Sequence, residues 1–204
     1  EMIGRRGINI LITLLLARFL MPGDFGLVAM VSVFFEIANA LMDSGFREAL
    51  IRKKDATAND YSTMFITNIL LGLVAYSLLF IGAPLIARFY NEPRLILLVR
   101  VIGVVVIINS LQFIQIVDLS RKLDFKTQFK ATIPAGVISG MVAIFMAIKG
   151  FGVWALATQM ILSPLFITIF FWWINTWKPH FTFSQESFKE LFGFGSKLFF
   201  SGLL

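Results

Sequence analysis

The chain has 204 residues, 58% of them hydrophobic and only 15% charged, with 23 Phe and a mean hydropathy of +0.84. An average globular protein carries roughly 25% charged residues, so this composition excludes a disordered chain and speaks against a soluble domain or soluble enzyme. It fits an all-α integral membrane protein, a polytopic helix bundle. The formal charge is +6, from 18 Lys and Arg against 12 Asp and Glu. The basic residues sit in connections between apolar runs, which points to membrane topology rather than to nucleic acid. Without cysteine there is no disulfide, thiolate nucleophile or Cys-based metal site, and the one histidine excludes a multi-histidine site.

A spanning helix needs about 20 mostly apolar residues. Six segments meet this in chain order. The first runs from about Gly7 to Leu20, and its start is expected to be missing. The second covers about Phe25 to Phe46, and the third about Tyr61 to Ala87 with no charge. The fourth covers about Leu95 to Val117 and contains Arg100. The fifth covers about Ala131 to Ile148, and the sixth about Phe151 to Trp177. A seventh starts near Leu191. Residues 1–177 are thus expected to form one transmembrane lobe. Residues 178–204 would form a cytoplasmic loop and the start of the next lobe, the chain being a piece of a longer protein. Transmembrane barrel strands would be about ten residues long with strict alternation, and these runs are neither.

Three connections are tight: Met21-Pro22-Gly23-Asp24, with Asp24 placed to cap the second helix, Asn91-Glu92-Pro93, and Lys149-Gly150-Phe151-Gly152. The others, Arg47 to Asp60, Asp118 to Lys130 and Lys178 to Glu190, are longer and basic. Ser187 to Glu190 reads as a capping box. With the N-terminal residues and Lys197, these longer connections hold 13 of the 18 Lys and Arg. The positive-inside rule then puts the N-terminus and the longer loops in the cytoplasm. Topology accounts for Arg52-Lys53-Lys54 without a lipid-binding role, although such a cluster can also meet anionic lipid.

Charges inside a bilayer cost roughly 2.5–3.5 kcal/mol each on insertion scales, so intramembrane polar residues need a reason. Glu36, Asn39, Asp43 and Arg47 are spaced to share one face of the second helix, with Glu36 deepest. Arg5, Asn9 and Thr13 share a face of the first. Asn109, Gln112 and Gln115 follow at intervals of three, with Asp118 after them. The third helix carries Thr67, Asn68 and Tyr76, and the sixth Thr158, Gln159 and Ser163. These stripes either turn inward around a polar cavity or make interhelical hydrogen bonds. Arg18 and Arg88 lie near helix ends, where long side chains can snorkel. Pro84, Pro134 and Pro164 lie in or at the edge of spans, as breaks in transporters do. Trp172, Trp173 and Trp177 read as an interfacial aromatic belt, and His180 as a solvated loop residue. No nucleophile–base pair, phosphate loop or metal-ligand cluster is visible.

Several stretches together carry a resemblance: Leu16-Ala17-Arg18-Phe19-Leu20-Met21-Pro22-Gly23-Asp24-Phe25-Gly26-Leu27-Val28-Ala29, then Asp43-Ser44-Gly45-Phe46-Arg47-Glu48-Ala49-Leu50-Ile51, Ala83 to Tyr90, Gly150 to Leu156, and Trp177-Lys178-Pro179. In this order the set resembles the bacterial polysaccharide export, O-antigen flippase-like family. That family belongs to the MOP superfamily, with the MATE exporters and lipid II flippases, and the likeness is strongest to its colanic-acid-exporter-like branch. The resemblance implies a two-lobed inner-membrane transporter working by alternating access, with no cofactor and no catalysis. Its implied substrate is a polyprenyl-pyrophosphate-linked oligosaccharide. Its partners would be membrane lipids and polysaccharide-assembly machinery. Arg18 and Arg47 would suit the pyrophosphate, Asn39, Asn109 and Gln112 sugar hydroxyls, and Glu36 a coupling proton or cation. Two alternatives stay open, a MATE-like drug or cation antiporter and a membrane enzyme of glycan assembly.

Overall fold

Helices account for most of the described backbone. The computed structural model describes residues 2–43, 45–175, 177–180 and 182–193; the side chains of residues 2–6, 8, 9, 41 and 43 lie outside that description. The elements are α1 (Met2–Ala17), α2 (Pro22–Asp43), α3 (Phe46–Arg52), α4 (Ala58–Phe89), α5 (Arg94–Ile102), α6 (Val104–Arg121), α7 (Phe125–Ile148) and α8 (Val153–Ile174). A further helix, α9, occupies 185–193, and no strand occurs among the described residues. α1 packs on α7, far along the chain, while α4 to α7 each pack on the next helix. The protein is a multi-pass, all-α membrane protein. Five stretches are long and apolar enough to cross a bilayer: Pro22–Ala40, Ala58–Phe89, Arg94–Arg121, Phe125–Ile148 and Val153–Ile174. At 16 residues α1 is shorter than a full span.

Local chemistry explains where the helices begin and end. Asp24 lies in the first turn of α2 and accepts a hydrogen bond from the Met21 backbone N–H at 3.1 Å. It therefore closes the start of the helix from inside. Gly45 at φ 75° takes the left-handed conformation that separates α2 from α3. Residues 46–52 are therefore a separate short helix and not part of a loop. Thr57 and Asp60 form a full capping box at the head of α4. Asp124 caps α7 through the Thr127 N–H at 3.0 Å, so this helix starts earlier than its apolar run. At α9 the cap is Ser184, whose hydroxyl accepts from the Ser187 N–H at 3.2 Å. Ser187 itself is buried inside the helix, so the box expected at Ser187 to Glu190 lies one turn too late.

The fourth span is split at Gly103 into α5 and α6, where a Cβ would sit 2.7 Å from the Val99 carbonyl and 2.9 Å from the Tyr76 ring. Small residues let α4 and α6 approach closely, as is usual in membranes. A Cβ on Gly72 of α4 would lie 2.9 Å from the Ser110 Cβ of α6. Four apolar clusters result. One joins α2, α4, α5 and α6, with Val31, Leu95, Val99, Ile102 and Val106 fully buried. A second lies at the other end, where Phe46, Leu50, Met64, Phe113 and Ile114 meet Leu191 of α9. The third packs Ile12 and Leu16 of α1 on Ala143 and Ala147 of α7 and Ala155 of α8. The fourth joins Leu119, Ala131 and Phe171 at the foot of α6, α7 and α8.

The expected tryptophan belt is only partly one. Trp173 is 82% exposed. Trp172 instead donates to the Leu111 carbonyl at 3.1 Å, and with Trp177, Phe65 and Tyr61 it builds an aromatic cluster against α4 and α6. The cluster forms because the chain turns back at Asn175 and brings Trp177 inward.

Candidate functional site: a polar cavity between α6, α7 and α8

α7 packs along α8, and α8 along α6, but α6 and α7 touch only lightly. The gap between them is a cavity of about 570 Å³. Each wall comes from one helix face. α6 contributes Val105, Asn109, Gln112, Ile116 and Ser120, α7 contributes Gln128, Thr132, Ile133 and Gly136, and α8 contributes Ser163, Pro164, Ile167 and Phe171. Arg47 of α3 completes the lining. From Val105 to Ser120 the cavity runs roughly 22 Å along α6 at 1.5 Å per residue. It extends from mid-span to the end of the bundle that carries α3 and the 122–124 turn.

The α6 wall is wired to α2. Gln112 Nε2 donates to Asn109 Oδ1 at 2.7 Å, and Asn109 Nδ2 donates to Asn39 Oδ1 at 3.2 Å. This chain orients two amides at the cavity, with Asn39 as the support behind them. Gln112 Oε1 is shielded and has no hydrogen-bond partner among the described residues. An unpaired buried acceptor costs about 1–3 kcal/mol, so a ligand hydroxyl reaching it would remove that cost. Arg47 lies 5.9 Å from the Phe113 ring centroid and is the one charged side chain among the described lining residues. The cavity is therefore neutral-polar with a single cationic edge. On α7 and α8 the hydroxyls of Thr132 and Thr168 turn back to the Gln128 and Pro164 carbonyls, at 2.9 and 2.7 Å.

Arg47, Asn109 and Gln112 thus share one cavity, and Asn39 touches it through Asn109. Arg18 and Glu36 do not line it, and both are exposed. The Asp43 side chain lies outside the described residues. The face that was to unite Glu36, Asn39, Asp43 and Arg47 ends at Gly45, because Arg47 belongs to α3 and arrives from another direction. The stripe of threes on the fourth span also divides. Each step of three turns the helix by about 300°, so the face drifts by about 60° per step. Asn109 and Gln112 still face the cavity, but Gln115 and Asp118 have rotated into a second network. There the Asn175 amide donates to Gln115 Oε1 at 2.6 Å and to Asp118 Oδ2 at 3.0 Å, and Lys122 pairs with the same Asp118 oxygen at 2.6 Å. This network ties the chain beyond α8 to the foot of α6.

Sequence reasoning missed Ser120 and Gln128, which fell in a stretch read as loop, and Thr132, which lay at the start of the fifth span and was not singled out. The Asp124–Thr127 cap was the available signal. It missed the support at the same end as well, where Lys53 bridges buried Asp60 at 3.1 Å and Glu190 of α9 at 2.8 Å. Lys53 is therefore engaged within the protein and does not stand free as part of a basic patch. Burial tends to lower the Lys53 pKa, but hydrogen bonds to Glu190 and Asp60 and their negative charges outweigh it and hold the value above the usual lysine range. No group of three or more metal-ligating side chains occurs among the described residues.

The family described as polysaccharide biosynthesis protein matches residues 15–204. The chain is 31% identical over 162 residues to the teichuronic acid biosynthesis protein TuaB of Bacillus subtilis, covering 78% of this chain and 33% of that one. It is 23% identical over 194 residues to the succinoglycan biosynthesis transport protein ExoT of Rhizobium meliloti, covering 94% and 39% respectively. It is 27% identical over 121 residues to the lipopolysaccharide biosynthesis protein WzxC of Escherichia coli, covering 58% and 24%. The matched part is thus well under half the length of each of these curated relatives. No solved structure matches the chain.

Proposed function

This chain belongs to the polysaccharide biosynthesis protein family, and on that premise we propose that it is the first transmembrane lobe of a flippase for a lipid-linked oligosaccharide. The lobe comprises residues 1–177, with 178–204 leading into a second lobe. The N-terminus and the ends bearing α3 and α9 face the cytoplasm of a bacterial inner membrane. The substrate is a polyprenyl-pyrophosphate-linked glycan, passed to the outer leaflet by alternating access between the lobes, and no chemical bond is made or broken.

The observation that carries this reading is the cavity itself. It pairs amides suited to sugar hydroxyls with one guanidinium suited to a phosphate, and no carboxylate is among its described lining residues. A lipid tail can stay in the bilayer while the polar head follows such a path. Arg47 would meet the pyrophosphate, Gln112 and Asn109 the sugar, and Asn39 would hold Asn109 in place. Arg18 and Glu36, exposed on the bundle, would act at the junction between lobes.

Complementation tests the reading. A strain lacking its own flippase and carrying the two-lobed protein should regain surface polysaccharide. Arg47→Gln and Gln112→Leu should each lower it at least about tenfold at unchanged membrane abundance, the loss expected when one charge-assisted or one specific hydrogen bond to a substrate is removed. Full export by both variants would remove the cavity from the transport path.

A further inference from the structure

A second cavity, of about 540 Å³, lies between α4, α5, the head of α6 and α8. Its lining includes Tyr76, Phe80, Leu97, Arg100 and Ile161. It belongs neither to the polar cavity nor to the α9 end. Apart from Arg100 it is aromatic and aliphatic, and Leu97 at its mouth is 55% exposed.

Arg100 is the anomaly. Its guanidinium carbon sits 4.4 Å from the Phe80 ring centroid, and its Nε donates a long 3.4 Å bond to the Phe80 carbonyl. Among the described residues this is its sole hydrogen bond, and no carboxylate pairs with it. A guanidinium has five N–H donors, so four stay open at a depth where water is scarce. The depth follows from α4. Its 32 residues reach roughly 48 Å, slightly more than a bilayer with its headgroups. Phe80 precedes the Phe89 end of α4 by roughly 13 Å at the helical rise, below the headgroups of that leaflet. The Phe80 ring and carbonyl hold the guanidinium in place while its two terminal NH2 groups have no hydrogen bond among the described residues, and these are groups with which Arg can grip a phosphate. The Tyr76 hydroxyl donates to the Arg100 carbonyl at 3.3 Å and steadies the same turn.

We propose that this groove binds an anionic glycerophospholipid of the leaflet at the Phe89 end, its phosphodiester on Arg100 and an acyl chain along Leu97 and Ile161. The charge favours an anion, and the surrounding apolar wall at bilayer depth favours one that brings its own hydrocarbon. The site is independent of the transport reading.

The test is native mass spectrometry of the full-length protein released from micelles doped with phosphatidylglycerol or phosphatidylcholine. Wild type should retain phosphatidylglycerol preferentially. Arg100→Gln should lose that preference about tenfold, the factor typical of a lost bidentate charge-assisted contact, while Arg100→Lys should keep part of it. Leu97→Trp, which fills the lipid-facing mouth and leaves the charge intact, should lose it as well, and it carries the test should Arg100→Gln fail to insert. Equal retention of both lipids by wild type, or undiminished phosphatidylglycerol on both Arg100→Gln and Leu97→Trp, overturns the site. Displacement by millimolar inorganic phosphate, or by an equimolar polyprenyl phosphate, overturns the phospholipid assignment.

Discussion

Asp60→Ala should be among the most damaging single changes outside the apolar core. Asp60 is 1% exposed at the head of α4. Its carboxylate accepts from the Thr57 N–H at 2.9 Å, the Thr57 hydroxyl at 3.0 Å and the Lys53 ammonium at 3.1 Å. Alanine leaves the Thr57 N–H without its cap and Lys53, whose side chain is 20% exposed, with only Glu190, which is 59% exposed. A lost cap costs about 1 kcal/mol, and removing one partner of a buried ion pair about 3 kcal/mol or more. Because Glu190 can still partly balance Lys53, the sum is set at about 3 kcal/mol. Asp60→Asn keeps the shape and an acceptor for Thr57, and should cost about half as much. Glu190→Ala should cost under about 1 kcal/mol, since exposed ion pairs contribute little. Reversible unfolding in mixed SDS micelles measures all three. Protease cleavage within 182–190 reports whether α9 has come off the α3–α4 corner. If Asp60→Ala lies within 1 kcal/mol of wild type, or Glu190→Ala matches it, the anchoring role assigned to Asp60 is wrong.

Gly72→Ala should destabilise the protein by about 1–3 kcal/mol through overpacking against Ser110, and Ser110→Gly should rescue it in the double variant, as the same unfolding titration can check. The Asp124 pKa is held below the usual carboxylate range, first by its bond from the Thr127 hydroxyl and then by the Thr127 N–H. The stability it lends to α7 is present above its unfolded pKa of about 3.9 and is lost as pH falls through the lower folded value. Stability profiles of wild type and Asp124→Ala should therefore run parallel from pH 7 to about 5 and converge only below about 4. Single cysteines at Asn59, Lys126 or Ser184 should resist an impermeant thiol reagent in intact cells, and ones at Gly23 or Asn91 should react; the reverse pattern would invert the orientation. Residues 1–204 expressed alone should insert yet leave a flippase-deficient strain without surface polysaccharide.

The spans were legible because bilayer thickness imposes a length and composition that no fold detail can override. The ends of the helices were less so. The apolar run of α7 begins at Ala131, but its hydrogen bonding begins at the Asp124 cap, and Gln128, which lies between them and lines the cavity, went unread for that reason. Facing was the weakest inference. Spacing places residues on a helix face, but a seven-residue helix after Gly45 redirected Arg47. The 300° step then carried Gln115 and Asp118 away from Asn109. Partners distant in sequence, such as Asn175 with Gln115 or Lys53 with Glu190, leave no periodic trace at all.

The polar cavity has one stiff wall and one compliant wall. α6 is locked to α4 by the glycine contact at Gly72 and to α2 by the Asn109–Asn39 bond. α7 and α8 carry Pro134 and Pro164 within continuous helix at the level of the cavity. Each proline removes the N–H that residue i−4 would have used and leaves a point of easy bending. Pro164 itself lines the cavity. A bulky passenger would therefore be accommodated from one side: α7 and α8, which pack closely on each other, would flex together as a leaf. The α4–α6 pair would stand still as the frame against which that leaf opens.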